Sequence, residues 1–192
     1  MTPFLASTGA VALAEIGDKT QLLSFVLAAR YRKPVPIVLG ILVATLFNHA
    51  LAGAAGAWVM ALVGPSVLRW VIGGLFVAMA AWTLVPDTFD ESGVAEAPRF
   101  GIFGTTLVAF FFAEMGDKTQ LATAAMAATH ASLVAIVAGS TLGMMIANVP
   151  AVLVGDRLLR YVPMKLVRAT AAALFAVFGL AILAGAGATF GF

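Results

Sequence analysis

The chain has 192 residues, 62% of them hydrophobic and only 10% charged, with a formal net charge of +2. An ordinary soluble domain carries roughly 25% charged residues, so a chain with a mean hydropathy of +1.05 has more apolar surface than water tolerates, and the lipid bilayer is its expected surrounding. Basic residues fall in short clusters beside apolar runs, which excludes a nucleic-acid binder. With no Cys, a disulfide framework and a thiolate metal site are excluded, leaving oxygen or imidazole to hold any metal.

Taken in order, six apolar stretches are expected to be transmembrane helices: Pro3 to Ala29, Pro34 to Val63, Ser66 to Val85, Phe100 to Ala128, Ala131 to Gly155, and Val162 to Phe190. The first lacks a positively charged start and carries Glu15, Asp18 and Lys19 in its middle, so it reads as a retained helix rather than a signal peptide. After the third stretch comes the one long polar break, residues 87–99, rich in turn formers and acids (Asp87, Asp90, Glu91, Glu96). This break is the expected linker between two halves, residues 1–86 and 100–192.

The halves are copies. Glu15-Ile-Gly17-Asp18-Lys19-Thr20-Gln21 recurs 99 residues later as Glu114-Met-Gly116-Asp117-Lys118-Thr119-Gln120. The same offset pairs Gly40 with Gly139, Arg69 with Arg168 and Leu75-Phe76 with Leu174-Phe175, and Asn48 meets Asn148 after a one-residue slip. Because each copy holds an odd number of spans, the second enters the membrane from the opposite side. The fold class is therefore an all-α integral membrane protein of six spans in two inverted three-helix repeats. Arg30, Arg32, Lys33, Arg99, Arg157, Arg160, Lys165 and Arg168 then share one side and Arg69 lies on the other. By the positive-inside rule the linker is cytoplasmic and both termini face outward, in a multi-pass plasma membrane, here read as a bacterial inner membrane.

Charge in the middle of a span costs from about 3 to over 10 kcal/mol per group, and helix glue does not repay six such groups. If each motif continues as helix, Glu15 and Asp18 share one face, as do Glu114 and Asp117, and inversion brings the faces together as a hard oxygen cage for Mn²⁺, Ca²⁺ or Mg²⁺. Lys19 and Lys118 would point away from that face. They are read as charge balance, as a means of steering ions, or as partners for an acid of the opposite half. With both lysines charged, the two motifs sum to minus two, which a divalent ion neutralises. Gly17 and Gly116 allow close helix approach or free a carbonyl. Thr20 and Thr119 support the acids, whereas Gln21 and Gln120 are candidate ligands or ligand supports.

Asn48 and Asn148, a symmetric pair in mid-span, complete the candidate ligand set. His49 has no counterpart, since Val149 takes its place. It is read first as an interhelical hydrogen-bonding group and second as a proton carrier. Pro150 is expected to kink its helix, His130 to lie in a solvated loop, and Phe110 to Phe112 to face lipid or pack.

On the doubled motif the chain resembles the family of Golgi and bacterial cation transporters that includes the MneA-type manganese exporters, a likeness covering essentially the whole chain. It implies proton-coupled Mn²⁺ export, with Ca²⁺ handled by eukaryotic relatives, and a cation site of Glu15, Asp18, Glu114 and Asp117. No resident cofactor and no enzymatic reaction are expected. A homodimer is compatible with this reading. The alternatives are a divalent-cation channel and an intramembrane enzyme using paired carboxylates, the latter without a His-Glu-x-x-His or aspartyl protease motif to support it.

Overall fold

The computed structural model describes residues 2–63, 65–86, 100–129, 132–154 and 163–185. The linker 87–99, Arg157, Arg160, His130 and the chain end lie outside the described residues, and so do the expectations placed on them. The described residues form eight helices: α1 (Pro3–Glu15), α2 (Lys19–Tyr31), α3 (Pro34–Leu62), α4 (Pro65–Thr83), α5 (Gly101–Glu114), α6 (Lys118–Thr129), α7 (Leu133–Val154) and α8 (Met164–Leu183). Four helical stretches are long and apolar enough to cross a membrane: Pro34–Leu62, Ser66–Thr83, Leu133–Val154 and Met164–Leu183. Gly101–Glu114 is a shorter apolar helix.

The first and fourth apolar stretches are not continuous helices, which corrects the sequence expectation. Each breaks inside the motif, where Gly17 has φ +81° and Gly116 φ +76°. L-residues pay roughly 1–2 kcal/mol for that left-handed conformation and glycine does not. Ile16 and Met115 are extended before the break, and Asp18 caps α2 with extended backbone. Glu15 and Asp18 therefore end one helix and begin the next, instead of sharing one helix face as their spacing had suggested.

Proline and a left-handed residue set the other boundaries. Arg32 at φ 52° closes α2, its N–H bonded to the Ala28 carbonyl, and Pro34 opens α3 two residues later. Pro150 lies inside α7, where it removes one backbone donor.

Helices pack mainly across the two halves. α1 and α2 lie on α7, α5 and α6 lie on α3, and α4 lies on α8. Glycines permit the closest crossings: a Cβ on Gly40 would meet Thr106 Cβ at 2.8 Å, and one on Gly143 would meet the Ala12 nitrogen at 2.9 Å. The order of contacts gives direction. Gly139 faces Phe4 and Ser7, and Gly143 faces Thr8 and Val11, so α1 and α7 run the same way. Gly40 faces Phe103 and Thr106, and Asn48 reaches the Phe111 carbonyl, so α3 and α5 also run the same way. Gly73 faces Leu183 while Val77 faces Gly179, so α4 and α8 are antiparallel. Between them Phe76 packs on Phe175 and, edge-on, on Phe178, both at 6.0 Å.

Gly56 tests the importance of these crossings, because a Cβ there would overlap the Ala124 backbone carbonyl between α3 and α6. Gly56→Ala is expected to cost about 1–3 kcal/mol, as overpacking against rigid backbone does. Gly74→Ala, where a Cβ meets nothing within 4 Å, should be neutral or slightly stabilising. Thermal unfolding of the two variants in detergent compares them directly.

A candidate cation site at two helix breaks

Both breaks give the N–H groups of their glycine and aspartate a partner, as irregular chain among apolar helices requires. The Gly17 N–H donates to Gln21 Oε1 at 2.7 Å, and the Gly116 N–H donates to Gln120 Oε1 at the same distance. Asp18 and Asp117 each donate a backbone N–H back to the preceding glutamate carbonyl, at 3.0 Å. The motif is thus a repeated structural unit: glycine makes the turn, glutamine caps it, and threonine holds the acid. Thr20 Oγ1 donates to Glu15 Oε1, and Thr119 Oγ1 donates to Glu114 Oε1 at 2.5 Å.

The two units meet. Glu15, Glu114 and Asp117 are all buried, and each offers a carboxylate oxygen within 4.8 Å of the others. Asp18, also buried, is held in an ion pair by Lys118, while Lys19 pairs with Asp117 at 3.1 Å. Each lysine therefore crosses to the acid of the opposite half. Of the roles read from sequence, this is the cross-half pairing; the lysines do not simply turn away from the acids. The helix break makes it possible by re-aiming the side chain that follows the aspartate.

Ionised, the four acids and two lysines leave two negative charges in excess. Pairing assigns that excess to Glu15 and Glu114, whose Oε2 atoms are buried without a hydrogen-bond partner among the described residues. Buried polar atoms are normally satisfied, and two orphaned carboxylate oxygens beside a third carboxylate form a donor set for a hard or borderline divalent cation.

The remaining candidates surround this cluster unequally. Asn148 donates its amide to Glu15 Oε1 at 3.2 Å and accepts from Ser24 Oγ at 2.6 Å. Asn48 instead donates to the Phe111 carbonyl at 3.0 Å and receives Gln120 Nε2 at 3.4 Å. Gln21 Nε2 reaches the Ala147 carbonyl at 3.0 Å. With their oxygens on glycine N–H groups, both glutamines support the breaks. His49 is fully buried, and neither ring nitrogen has a hydrogen-bond partner among the described residues; the interhelical bond expected of it is not formed there. Phe110 is buried and Phe112 is 66% exposed. Sequence reasoning missed Ser24, although Thr123 stands at the matching position of the second copy and the shared polarity was visible.

Apolar helices around a buried acidic cluster define a membrane protein that handles cations. The family model described as "Divalent cation/proton antiporter GDT1" matches residues 3–91 and 102–189, and the chain belongs to that family. A Vibrio cholerae protein named "Putative manganese exporter" is 47% identical over 182 residues, spanning 94% of this chain and 90% of that protein. The chain is also similar to the Arabidopsis thaliana "Protein PAM71-homolog, chloroplastic", at 28% identity across 95% of this chain and 59% of the relative. "GDT1-like protein 5" of the same plant is 27% identical across 92% and 93%. No solved structure matches.

Proposed function

We propose that this antiporter exports Mn²⁺ from the cytoplasm in exchange for protons, binding the ion at Glu15, Glu114 and Asp117. The observation that carries the reading is the convergence of three buried carboxylates within 4.8 Å, two of them with an unpartnered oxygen. Asp18 joins the cluster when Lys118 releases it. Asn148 and Asn48 serve as amide supports or ligands, Thr20, Thr119, Gln21 and Gln120 hold the two breaks, and Gly17 and Gly116 shape them. Lys19 and Lys118 take over the aspartates when the ion leaves. The name of the Vibrio cholerae relative, a manganese exporter, favours Mn²⁺ over Ca²⁺ as the physiological ion.

In this reading the halves, residues 1–86 and 100–192, are inverted repeats of three spans each, and α1–α2 and α5–α6 are each one broken span. Helix directions support it. α1 follows α7, α5 follows α3, and α4 opposes α8, as they would if the second half were inverted. Broken helices meeting near mid-membrane are the usual ion site of inverted-repeat transporters, and rocking of one half against the other gives alternating access. The clusters Arg30, Arg32, Lys33 and Lys165, Arg168 put the α2–α3 turn and the start of α8 on the cytoplasmic side, with the termini outward.

The test is uptake of Mn²⁺ into liposomes containing the purified protein and a metal-sensitive dye. An imposed proton gradient is expected to drive Mn²⁺ against its own gradient, and dissipating the proton gradient should stop it. Mn²⁺ movement that only ever runs downhill would instead identify a channel.

A further inference from the structure

Beside the site just proposed, one electron-rich atom is neither hard nor oxygen. Met144, fully buried on α7, lies one helical turn before Asn148, and its Sδ is 2.9 Å from the Asn148 amide nitrogen. That same nitrogen is 3.2 Å from Glu15 Oε1 and 3.1 Å from the Met144 carbonyl. Three electron-rich atoms, a carboxylate oxygen, a carbonyl oxygen and a thioether sulfur, thus converge on one –NH₂ group. A set of acceptors that surrounds a buried, positively polarised –NH₂ also surrounds a cation if the amide turns aside. Ser24, bonded to the amide oxygen, has a hydroxyl that can donate or accept, so it serves either orientation of the amide.

The sulfur is held there by the backbone. Gly143 lets α7 close on α1 immediately before Glu15, where any Cβ would meet Val11 Cβ at 3.1 Å and the Ala12 nitrogen at 2.9 Å. One turn before Asn48, in the first half, stands Ala44. The thioether is therefore a one-sided addition to a site whose other parts are duplicated. The plainer reading of Met144 is core packing, since it also belongs to a buried apolar cluster. Packing, however, requires only its volume, whereas the amide contact involves the sulfur.

We propose that the Met144 thioether sets the metal preference of the site, favouring soft and transition-metal ions, Cd²⁺ strongly and the harder Mn²⁺ less so, over Ca²⁺ and Mg²⁺. Thioethers bind soft and transition metals and contribute little to alkaline-earth ions, which take oxygen. The inference rests on the location of the cation site proposed above, but not on transport or its coupling.

Equilibrium binding of Mn²⁺, Cd²⁺ and Ca²⁺ to the purified full-length protein tests it independently of flux. Met144→Leu preserves volume and is expected to weaken Cd²⁺ about tenfold, with a smaller loss for Mn²⁺ and none for Ca²⁺, in line with other changes around a metal. Met144→Gln, which substitutes a hard oxygen, should move the preference further toward Ca²⁺. Retained Ca²⁺ binding certifies that each variant is folded. Equal loss of all three ions, or an unchanged Cd²⁺ to Ca²⁺ ratio in both variants, would mean that the residue only packs and would overturn the proposal. A changed ratio in a protein that moves no Mn²⁺ in liposomes would uphold this inference and defeat the transport reading.

Discussion

Glu15→Gln combined with Glu114→Gln is expected to reduce proton-driven Mn²⁺ transport by more than about 100-fold, beyond the 10–100-fold that changes one shell further from a metal cause, while the protein stays folded. Glutamine has the shape of glutamate and can still accept the Thr20 and Thr119 hydroxyls, so the helix breaks should persist. What it removes is charge. Lysines already pair with both aspartates, so the two glutamates supply the negative charge that a divalent ion must neutralise. A carboxamide also cannot exchange a metal for a proton, so the coupling is lost along with the binding. Each single variant should be impaired by about tenfold or more on the same argument. The measurement is initial Mn²⁺ flux in liposomes, with thermal unfolding in detergent as the control. A double variant that transports within a few-fold of the parent would remove these glutamates from the mechanism.

Breaking the deeper ion pair should have the largest effect on stability. The Lys118 side chain is 3% exposed and that of its partner Asp18 is 0% exposed. Removal of one member strands a buried charge, and Lys118→Met is expected to destabilise the protein by about 3–5 kcal/mol. Adding Asp18→Asn should recover most of that, because replacing both members of a buried pair is often close to neutral. Transport should not recover, since the restored protein lacks one of the four acids. Lys19 provides the contrast: its own side chain is 28% exposed, so although Lys19→Met also leaves a buried carboxylate, that of Asp117, without its partner, it should cost less than Lys118→Met. Unfolding temperatures and Mn²⁺ flux for the three variants separate stability from function. Equal destabilisation by Lys19→Met and Lys118→Met would show that depth is not what distinguishes the two pairs.

Much of the site was legible because the motif is duplicated. One glutamate in an apolar stretch is ambiguous; two copies of a seven-residue unit at a constant offset mark a site and predict that the copies meet. The helix break was not legible in the same way. Gly17 and Gly116 are compatible with continuous helix, and glycine is common in membrane helices. The decisive residues were Gln21 and Gln120, whose carbonyls cap the glycine N–H groups four positions earlier. A side chain positioned to accept from a backbone N–H in apolar surroundings indicates that the helix has released that N–H. The reading of glutamine as a ligand candidate passed over this more local use.

The sequence by itself determined that the chain belongs in a bilayer, that it is helical, that its halves are copies, and that four acids and two lysines fall in the repeated motif. These follow from composition and repetition, properties that hold whatever the three-dimensional arrangement. Only the tertiary structure decided how the six charged groups divide. Spacing assumed one helix face for Glu15 and Asp18, but a left-handed glycine between them sends Glu15 into a three-carboxylate cluster and Asp18 to Lys118. It also decided that the near-symmetric asparagines differ, since Asn148 touches Glu15 while Asn48 turns to a backbone carbonyl. Such assignments depend on which helix of the other half lies alongside, and no pattern within one copy encodes its neighbour.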